Sequence, residues 1–190
     1  MSAAPYPRQG GALSRWIGKA ILAAMGWKIE GRWPAEPKLV VVGSPHTSNW
    51  DLLLAIGMLL SMNLRLNWMM KREAFVWPFG ALFRRLGGIP IDRKAAGSVV
   101  EQTTAAFKAR NRMYLGITPT GTRSAKADYR KGYLRIAEGA GVPVFIAGVD
   151  ARRKTLVLDR VFPLSGEIDA DNAAIQDYVR THYTGMNADR

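Results

Sequence analysis

The stretch LVVVGSPHTSNWD, residues 39–51, decides the fold because it joins a strand pattern to a helix start through a polar turn. Its first four residues are apolar and mostly β-branched, which is typical of a strand buried on both faces of a sheet. Asp51 stands where a helix over residues 51–61 begins, and a carboxylate favours a helix N-terminus. The stretch therefore predicts a strand, a turn and a helix, which together form one unit of an α/β fold.

The same alternation continues along the chain. Apolar runs predict further strands at residues 64–70, 89–91, 113–118, 142–149, 155–158 and 159–162. Helical patterns cover residues 13–27, 75–85, 99–109, 132–138 and 170–183. We expect an α/β fold with a mixed, mainly parallel sheet flanked by helices. Residues 1–11, rich in Ala, Pro and Gly, are expected to be a flexible tail, and residues 12–190 a single domain.

His46 and Asp51 are the first candidates for chemistry. The only other histidine of the sequence is His182. Histidine accepts and returns a proton near neutral pH, and an aspartate close behind can hold the imidazole in one tautomer. The alternative is a surface histidine followed by a helix-capping aspartate. Taken alone, the pair favours that alternative.

Two later loops also follow predicted strands and carry polar groups. GGIPIDRK, residues 87–94, contains Arg93, and TPTGTRS, residues 118–124, contains Gly121 and Arg123. The guanidinium fork suits phosphate or carboxylate, and glycine lets the backbone approach an anion closely. Taken singly, the arginines are better explained as salt-bridging residues and the glycines as turn formers.

The net charge of +12 points to an anionic partner. Residues 151–190 hold six basic and six acidic side chains, so the whole excess lies in residues 1–150. Nucleic acid, anionic lipid and an acidic carrier or phosphorylated substrate all fit this charge. Nucleic acid is disfavoured because the sequence has no zinc-finger spacing, no aromatic ribonucleoprotein signature and no dense basic helix. The absence of cysteine excludes disulfides, thiolate metal sites and a cysteine nucleophile.

A membrane surface is the other partner that the sequence suggests. The most apolar run, residues 52–62, is too short to span a bilayer, which needs about 20 residues. The helix over residues 13–27 carries an apolar stripe, with a tryptophan near each end and basic residues off the stripe. Such a helix suits a bilayer interface. Packing of the stripe on the protein core is an equally good interpretation.

Four blocks in this order resemble the glycerolipid acyltransferase family. They are His46 with Asp51, then GGIPIDRK, TPTGTRS and finally GVPVFIAGV at residues 141–149. The similarity is greatest to short bacterial 1-acylglycerol-3-phosphate O-acyltransferases, and it extends over about residues 27–163. No single block after the first is specific, whereas the four together, in the family's order and spacing, are.

The resemblance implies a reaction and a set of roles. His46 would be the general base and Asp51 its orienting acid, while Arg93, with Thr120, Gly121, Thr122 and Arg123, would bind the acceptor. The acyl donor would be a thioester of acyl carrier protein or coenzyme A, with no cofactor, no metal and no covalent acyl-enzyme. The resemblance also implies a cytoplasmic protein, peripheral at the inner membrane face and in contact with surface lipids.

One position departs from the family's pattern. The third block usually carries glutamate directly before its Gly-Thr-Arg, and here that place is Thr120. Threonine is shorter and neutral, so it cannot replace a carboxylate electrostatically. Three explanations of Thr120 stay open. It is a tolerated variant of the loop, or the enzyme uses a different acceptor, or the chain is an acyltransferase-like lipid-binding protein with weak or redirected activity. The identity of the acceptor is the part of the prediction that this substitution affects most.

Overall fold

A single sheet with helices on both faces organises the computed structural model. The structure describes residues 6–45, 48, 50–92, 94, 98–121 and 127–186. The strands found there are β1 (Lys28–Gly31), β2 (Lys38–Ser44), β3 (Leu66–Lys71), β4 (Gly88–Ile91), β5 (Met113–Ile117), β6 (Val144–Asp150) and β7 (Thr155–Phe162). The helices are α1 (Ala12–Met25), α2 (Trp50–Ser61), α3 (Phe79–Leu86), α4 (Val99–Lys108), α5 (Gly132–Ala140) and α6 (Ile168–His182).

The sheet is mixed and mainly parallel. Its strand order is β1-β7-β6-β2-β5-β3-β4, and only the β6–β7 hairpin is antiparallel among the described strand pairs. The expected α/β fold class is therefore confirmed. β2 lies in the middle of the sheet between β5 and β6, as its uninterrupted apolar run requires.

Two hydrophobic cores form because successive strand residues point to opposite faces of the sheet. On one face, Leu39 and Val41 of β2 pack with Leu22 of α1 and Leu54 of α2. On the other face, alternate strand residues pack with side chains of α4, α5 and α6. α2 connects β2 to β3, and α3 connects β3 to β4, so both connections run toward the same edge of the sheet. Because crossovers between parallel strands are right-handed, both helices lie on the same face.

The predicted elements agree with this structure apart from the first strand and the last. β1 was not predicted, because KIEG contains a single large apolar residue and gains its strand structure by pairing with β7. Residues 155–158 and 159–162, predicted as two pieces, form the single strand β7. Residues 1–5 of the expected tail lie outside the described residues, and Gln9 donates its N–H to the Asn63 carbonyl at 2.9 Å.

α1 contacts the rest of the protein through a face that its apolar stripe did not predict. Gly18 and Leu22 are its buried residues, and a side chain at Gly18 would stand 2.2 Å from the Ser61 nitrogen. The backbones of α1 and α2 therefore touch at this crossing. Leu13 and Trp16, which belong to the predicted stripe, are 70% and 67% exposed. Met25, which belongs to the same stripe, packs against the core, so the stripe is only partly covered.

Candidate functional site

A small apolar pocket lies at the carboxyl edge of the sheet, where polar loops follow parallel strands. Its volume is about 110 Å³. It is lined by Gly43 and Pro45 at the end of β2, Asp51 of α2, Thr118 after β5, and residues 147–149 of β6. The first, third and fourth sequence blocks therefore meet at one pocket. Such an edge is where α/β proteins usually bind ligands.

Among the described residues, Asp51 is the one charged side chain lining this pocket, and it is 6% exposed. Its Oδ2 accepts the backbone N–H of Ser48 at 2.8 Å, while the Ser48 hydroxyl accepts the N–H of Trp50 at 3.2 Å. These bonds cap the start of α2, and the positive end of the helix dipole favours the carboxylate. Asp51 is thus a helix-capping aspartate, as the alternative interpretation of the His46–Asp51 pair expected, and it also faces the pocket.

The third block begins with a tight turn next to the same pocket. The Gly121 N–H donates to the Thr118 carbonyl at 3.1 Å, and Gly121 has a φ of +62°. Thr120 is 6% exposed, so its hydroxyl lies inside the protein. Positive φ favours glycine, which explains why the turn needs that residue. Residues 118–121 thus form a turn that follows β5, as expected of a loop at a strand end.

Comparison with known proteins agrees with this arrangement. A family model described as Acyltransferase matches residues 28–148. The chain belongs to the acyltransferase family. In structure it is similar to the 1-acyl-sn-glycerophosphate (LPA) acyltransferase PlsC from Thermotoga maritima, with a TM-score of 0.63 and 19% sequence identity over 89% of this chain and 78% of that one. That likeness concerns the fold. Among curated proteins, none matches the chain.

Several predicted site residues of this acyltransferase lie outside the described residues. They are His46, Arg93, Thr122 and Arg123. The structure therefore places Asp51, Thr120 and Gly121 directly, and it gives the strand ends that precede the other four. Their catalytic and binding roles stay predictions.

The second block lies further from the pocket than the other three. It contains β4, the strand at the sheet edge, and β5 and β3 separate β4 from β2. Three interstrand spacings amount to about 14 Å. Asp92, the residue before Arg93, pairs with Arg72 at 3.4 Å. Side chains of this block can therefore contact a ligand in the pocket only if the ligand itself extends from the pocket toward β4.

A buried pair of hydroxyls connects the first block to the end of the third-block loop. Ser44, the last residue of β2, hydrogen-bonds to the hydroxyl of Tyr129, and the two side chains are 1% and 7% exposed. Burial raises the pKa of Tyr129, although the bond to Ser44 and the charge of Arg180 act in the opposite direction. Tyr129 is therefore a neutral phenol at physiological pH.

The same segment is fixed from the other face of the sheet by α6. The Tyr129 N–H donates to Gln176 Oε1 at 2.9 Å, and the Asn172 side-chain amide donates to the Tyr129 carbonyl at 3.1 Å. Arg130 then donates its N–H to the Pro119 carbonyl at 3.0 Å, which joins the two ends of the loop. These contacts hold the two ends of the loop that carries the third block in place beside β2.

Sequence analysis missed Ser44, Tyr129 and Arg130. A side chain at Gly121 would stand 3.6 Å from Cζ of Arg130, so this guanidinium lies alongside the turn. Arg130 therefore places a cation next to the first part of the third block. The sequence shows only that a tyrosine and an arginine stand at the end of a polar loop. It does not show that the tyrosine bonds to a serine 85 positions away.

Proposed function

We propose that this acyltransferase moves a fatty acyl group from a thioester to a hydroxyl of a lysophospholipid-type acceptor, 1-acylglycerol-3-phosphate or a related lipid. The observation that carries the proposal is the pocket shared by the first, third and fourth blocks, with Asp51 in its wall. Membership of the family supports acyl transfer. The structural likeness to a protein titled as a 1-acyl-sn-glycerophosphate acyltransferase supports this acceptor class.

In the proposed reaction His46 is the general base. It takes the proton of the acceptor hydroxyl as the oxygen attacks the thioester carbonyl, and the tetrahedral intermediate then expels the thiolate. One C–O bond forms, one C–S bond breaks, and the proton passes from His46 to the leaving sulfur. General-base catalysis of this kind contributes roughly 10²–10⁴-fold. The donor is an acyl thioester of acyl carrier protein or of coenzyme A, and both carriers are anionic.

Asp51 is proposed to orient His46 and stabilise its protonated form. Its buried position at the first turn of α2 supports this role, because burial and a helix N-terminus keep the carboxylate fixed near the motif. Asp51→Asn is expected to lower the turnover rate. It is also expected to lower the pKa of His46, because a neighbouring negative charge is removed, so the acidic limb of the rate profile moves to lower pH. A purely capping role would reduce stability without moving that limb.

Acceptor binding is proposed to involve Arg93 and Arg123, with Thr120, Gly121 and Thr122 placing the acceptor beside the base. Arg130 supports this proposal because its guanidinium adjoins Gly121. The apolar lining of the pocket, which includes Met58 and Ala55, suits the start of an acyl chain. The buried position of Thr120 leaves a neutral hydroxyl where the family usually carries a carboxylate.

The helix layer formed by α1, α2 and α3 is proposed to contact surface lipids. Thirteen large hydrophobic side chains are exposed among the described residues, and eleven of them belong to these helices or to residues 76 and 77 before α3. They are Leu13, Trp16, Ile17, Trp50, Leu52, Ile56, Val76, Trp77, Phe79, Leu82 and Leu86. In the same described part, no helix is long and apolar enough to cross a membrane. Basic residues on α1 and α3 fit anionic headgroups at the inner membrane face.

The lipid contact can be tested by sedimentation with vesicles. Trp77, which is 92% exposed, is replaced by glutamate, and Val161, which is 38% exposed on β7, is replaced by glutamate as the control. The first change is expected to release the protein from vesicles of phosphatidylglycerol, whereas the second leaves binding unchanged. Equal binding of both variants contradicts a docking face on these helices.

A second candidate function is lipid binding with weak or redirected acyl transfer, and Thr120 is the observation that favours it. Assays with several lysolipid acceptors distinguish the two. Turnover that is lost in His46→Ala supports the enzyme. Vesicle binding without turnover of any acceptor supports the alternative. A gain on lysophosphatidate in Thr120→Glu would show that the threonine had weakened an acceptor site.

A further inference from the structure

A second concavity lies at the amino edge of the sheet, opposite the proposed active site. Its volume is about 500 Å³. We call it the arginine pocket, and its lining includes Arg8, Arg65, Asn67, Arg110, Asn111 and Arg112. None of these residues belongs to the four sequence blocks. The acyl-transfer proposal therefore assigns no function to them.

Neighbouring parallel strands bring these arginines together. β3 and β5 pair with Leu66 beside Tyr114, so Arg65 and Arg112 both stand just before the strands at one edge. The N–H of Arg65 donates to the Pro7 carbonyl at 3.1 Å, which brings Arg8 to the same place. The proposed active site follows the opposite ends of the strands, at least about 13 Å away along β5. The two sites are thus separate.

Charge makes the arginine pocket unusual. No carboxylate of the described residues lies within ion-pair distance of Arg8, Arg65, Arg110 or Arg112. Four cations around one concavity repel one another, and an anion bound between them relieves that repulsion. Surface arginines that only serve solubility have no need to converge.

Two of the guanidinium groups are held in position by backbone carbonyls. Arg65 donates to the Arg84 carbonyl at 3.2 Å, and Arg110 donates to the Ala106 carbonyl at 2.7 Å. Each guanidinium has five N–H donors, so most of them stay available to a ligand. Because the side chains are already ordered, a ligand loses less free energy in fixing them.

We propose that the arginine pocket binds a phosphate-bearing anion. Guanidinium forks match phosphate oxygens in pairs, and a group with several oxygens and two charges can engage more than one arginine. The phosphate belongs either to a phospholipid headgroup or to a soluble phosphate ester. The first source is supported by α1, whose exposed Leu13 and Trp16 lie close by, since Ser14 bonds to Asn63 at 2.8 Å. The inference does not depend on the acyl-transfer proposal.

The test compares the wild type with Arg110→Gln/Arg112→Gln and with the matched control Arg135→Gln/Arg152→Gln, which removes the same charge elsewhere on the surface. Calorimetry measures the binding of inorganic pyrophosphate, and sedimentation measures binding to phosphatidylcholine vesicles with and without phosphatidylglycerol. Thermal unfolding verifies that each variant is folded.

The pocket variant is expected to weaken pyrophosphate binding, vesicle binding or both by about tenfold or more, because charge-assisted hydrogen bonds are lost. The control should keep that binding within about twofold of the wild type. A loss confined to vesicles identifies a headgroup, and a loss confined to pyrophosphate identifies a soluble ester. Equal binding of the pocket variant and its control, or no binding by the wild type, overturns the proposal. Because this test does not measure acyl-transfer activity, its result stands even if the protein transfers no acyl group.

Discussion

The hydrogen bond between Ser44 and Tyr129 gives the sharpest stability prediction, because it joins the end of β2 to the loop that carries the third block inside the protein. Tyr129→Phe removes one oxygen atom and keeps the volume of the ring. The Ser44 hydroxyl, 1% exposed, then loses the partner with which it is bonded. The change therefore isolates one buried hydrogen bond.

A buried polar group left without its partner costs about 1–3 kcal/mol of stability. We expect the free energy of unfolding to fall by about 2 kcal/mol in Tyr129→Phe and by a similar amount in Ser44→Ala. The double variant removes both hydroxyls, so its loss is smaller than the sum, with a coupling energy of about 1 kcal/mol. Burial raises the pKa of Tyr129, so the phenol stays protonated in both states below a pH of about 9 and the loss is constant there.

The assay is urea unfolding followed by tryptophan fluorescence. Tyr133→Phe serves as the matched control, because the Tyr133 hydroxyl is buried and has no hydrogen-bond partner among the described residues. Its removal is expected to leave stability unchanged or to raise it slightly. The reasoning is refuted if Tyr129→Phe is as stable as the wild type, or if the two single losses are strictly additive.

Three further substitutions test the packing of the fold. Gly18→Ala adds a carbon 2.2 Å from the α2 backbone, so α1 must move, and we expect chymotrypsin to cleave within α1 faster than in the wild type. Gly148→Ala places a carbon 2.4 Å from the Tyr183 ring and should lower the melting temperature, whereas a Gly132→Ala control should not. Burial opposes the charged form of Asp171, but hydrogen bonds from Ser165 and Gly166 outweigh it and lower the pKa. Stability should therefore fall as the pH drops below about 4, and Asp171→Asn should flatten that fall in acid unfolding curves.

The fold was largely predictable because most of the strands are apolar runs, and the helices α2 to α5 each lie between two such runs. The strand over residues 39–43 and the helix over residues 51–61 agree with β2 and α2 to within one residue at each end. The packing face of α1 was not predictable from its apolar stripe. Two small residues, Gly18 and Gly57, allow the close crossing, and a glycine contributes little to a hydrophobic pattern.

The sequence blocks around the pocket could be predicted, but the residues that hold them in place could not. Asp51 and the turn at Gly121 lie beside one pocket because the carboxyl ends of parallel strands meet at one edge. Tyr129 and the arginine pocket depend on contacts between distant segments, and no local pattern encodes them. Arg8, Arg65 and Arg112 become neighbours only when β3 pairs with β5.

The most direct test of the central claim is the rate of acyl transfer from acyl-coenzyme A or acyl carrier protein to lysophosphatidate, measured for the wild type, His46→Ala and His182→Ala. His182 is the matched control, because it is the other histidine of the chain and is exposed at the end of α6. The account predicts a loss of at least about a hundredfold in His46→Ala and almost none in His182→Ala. Wild-type turnover that His46→Ala retains in full would contradict it.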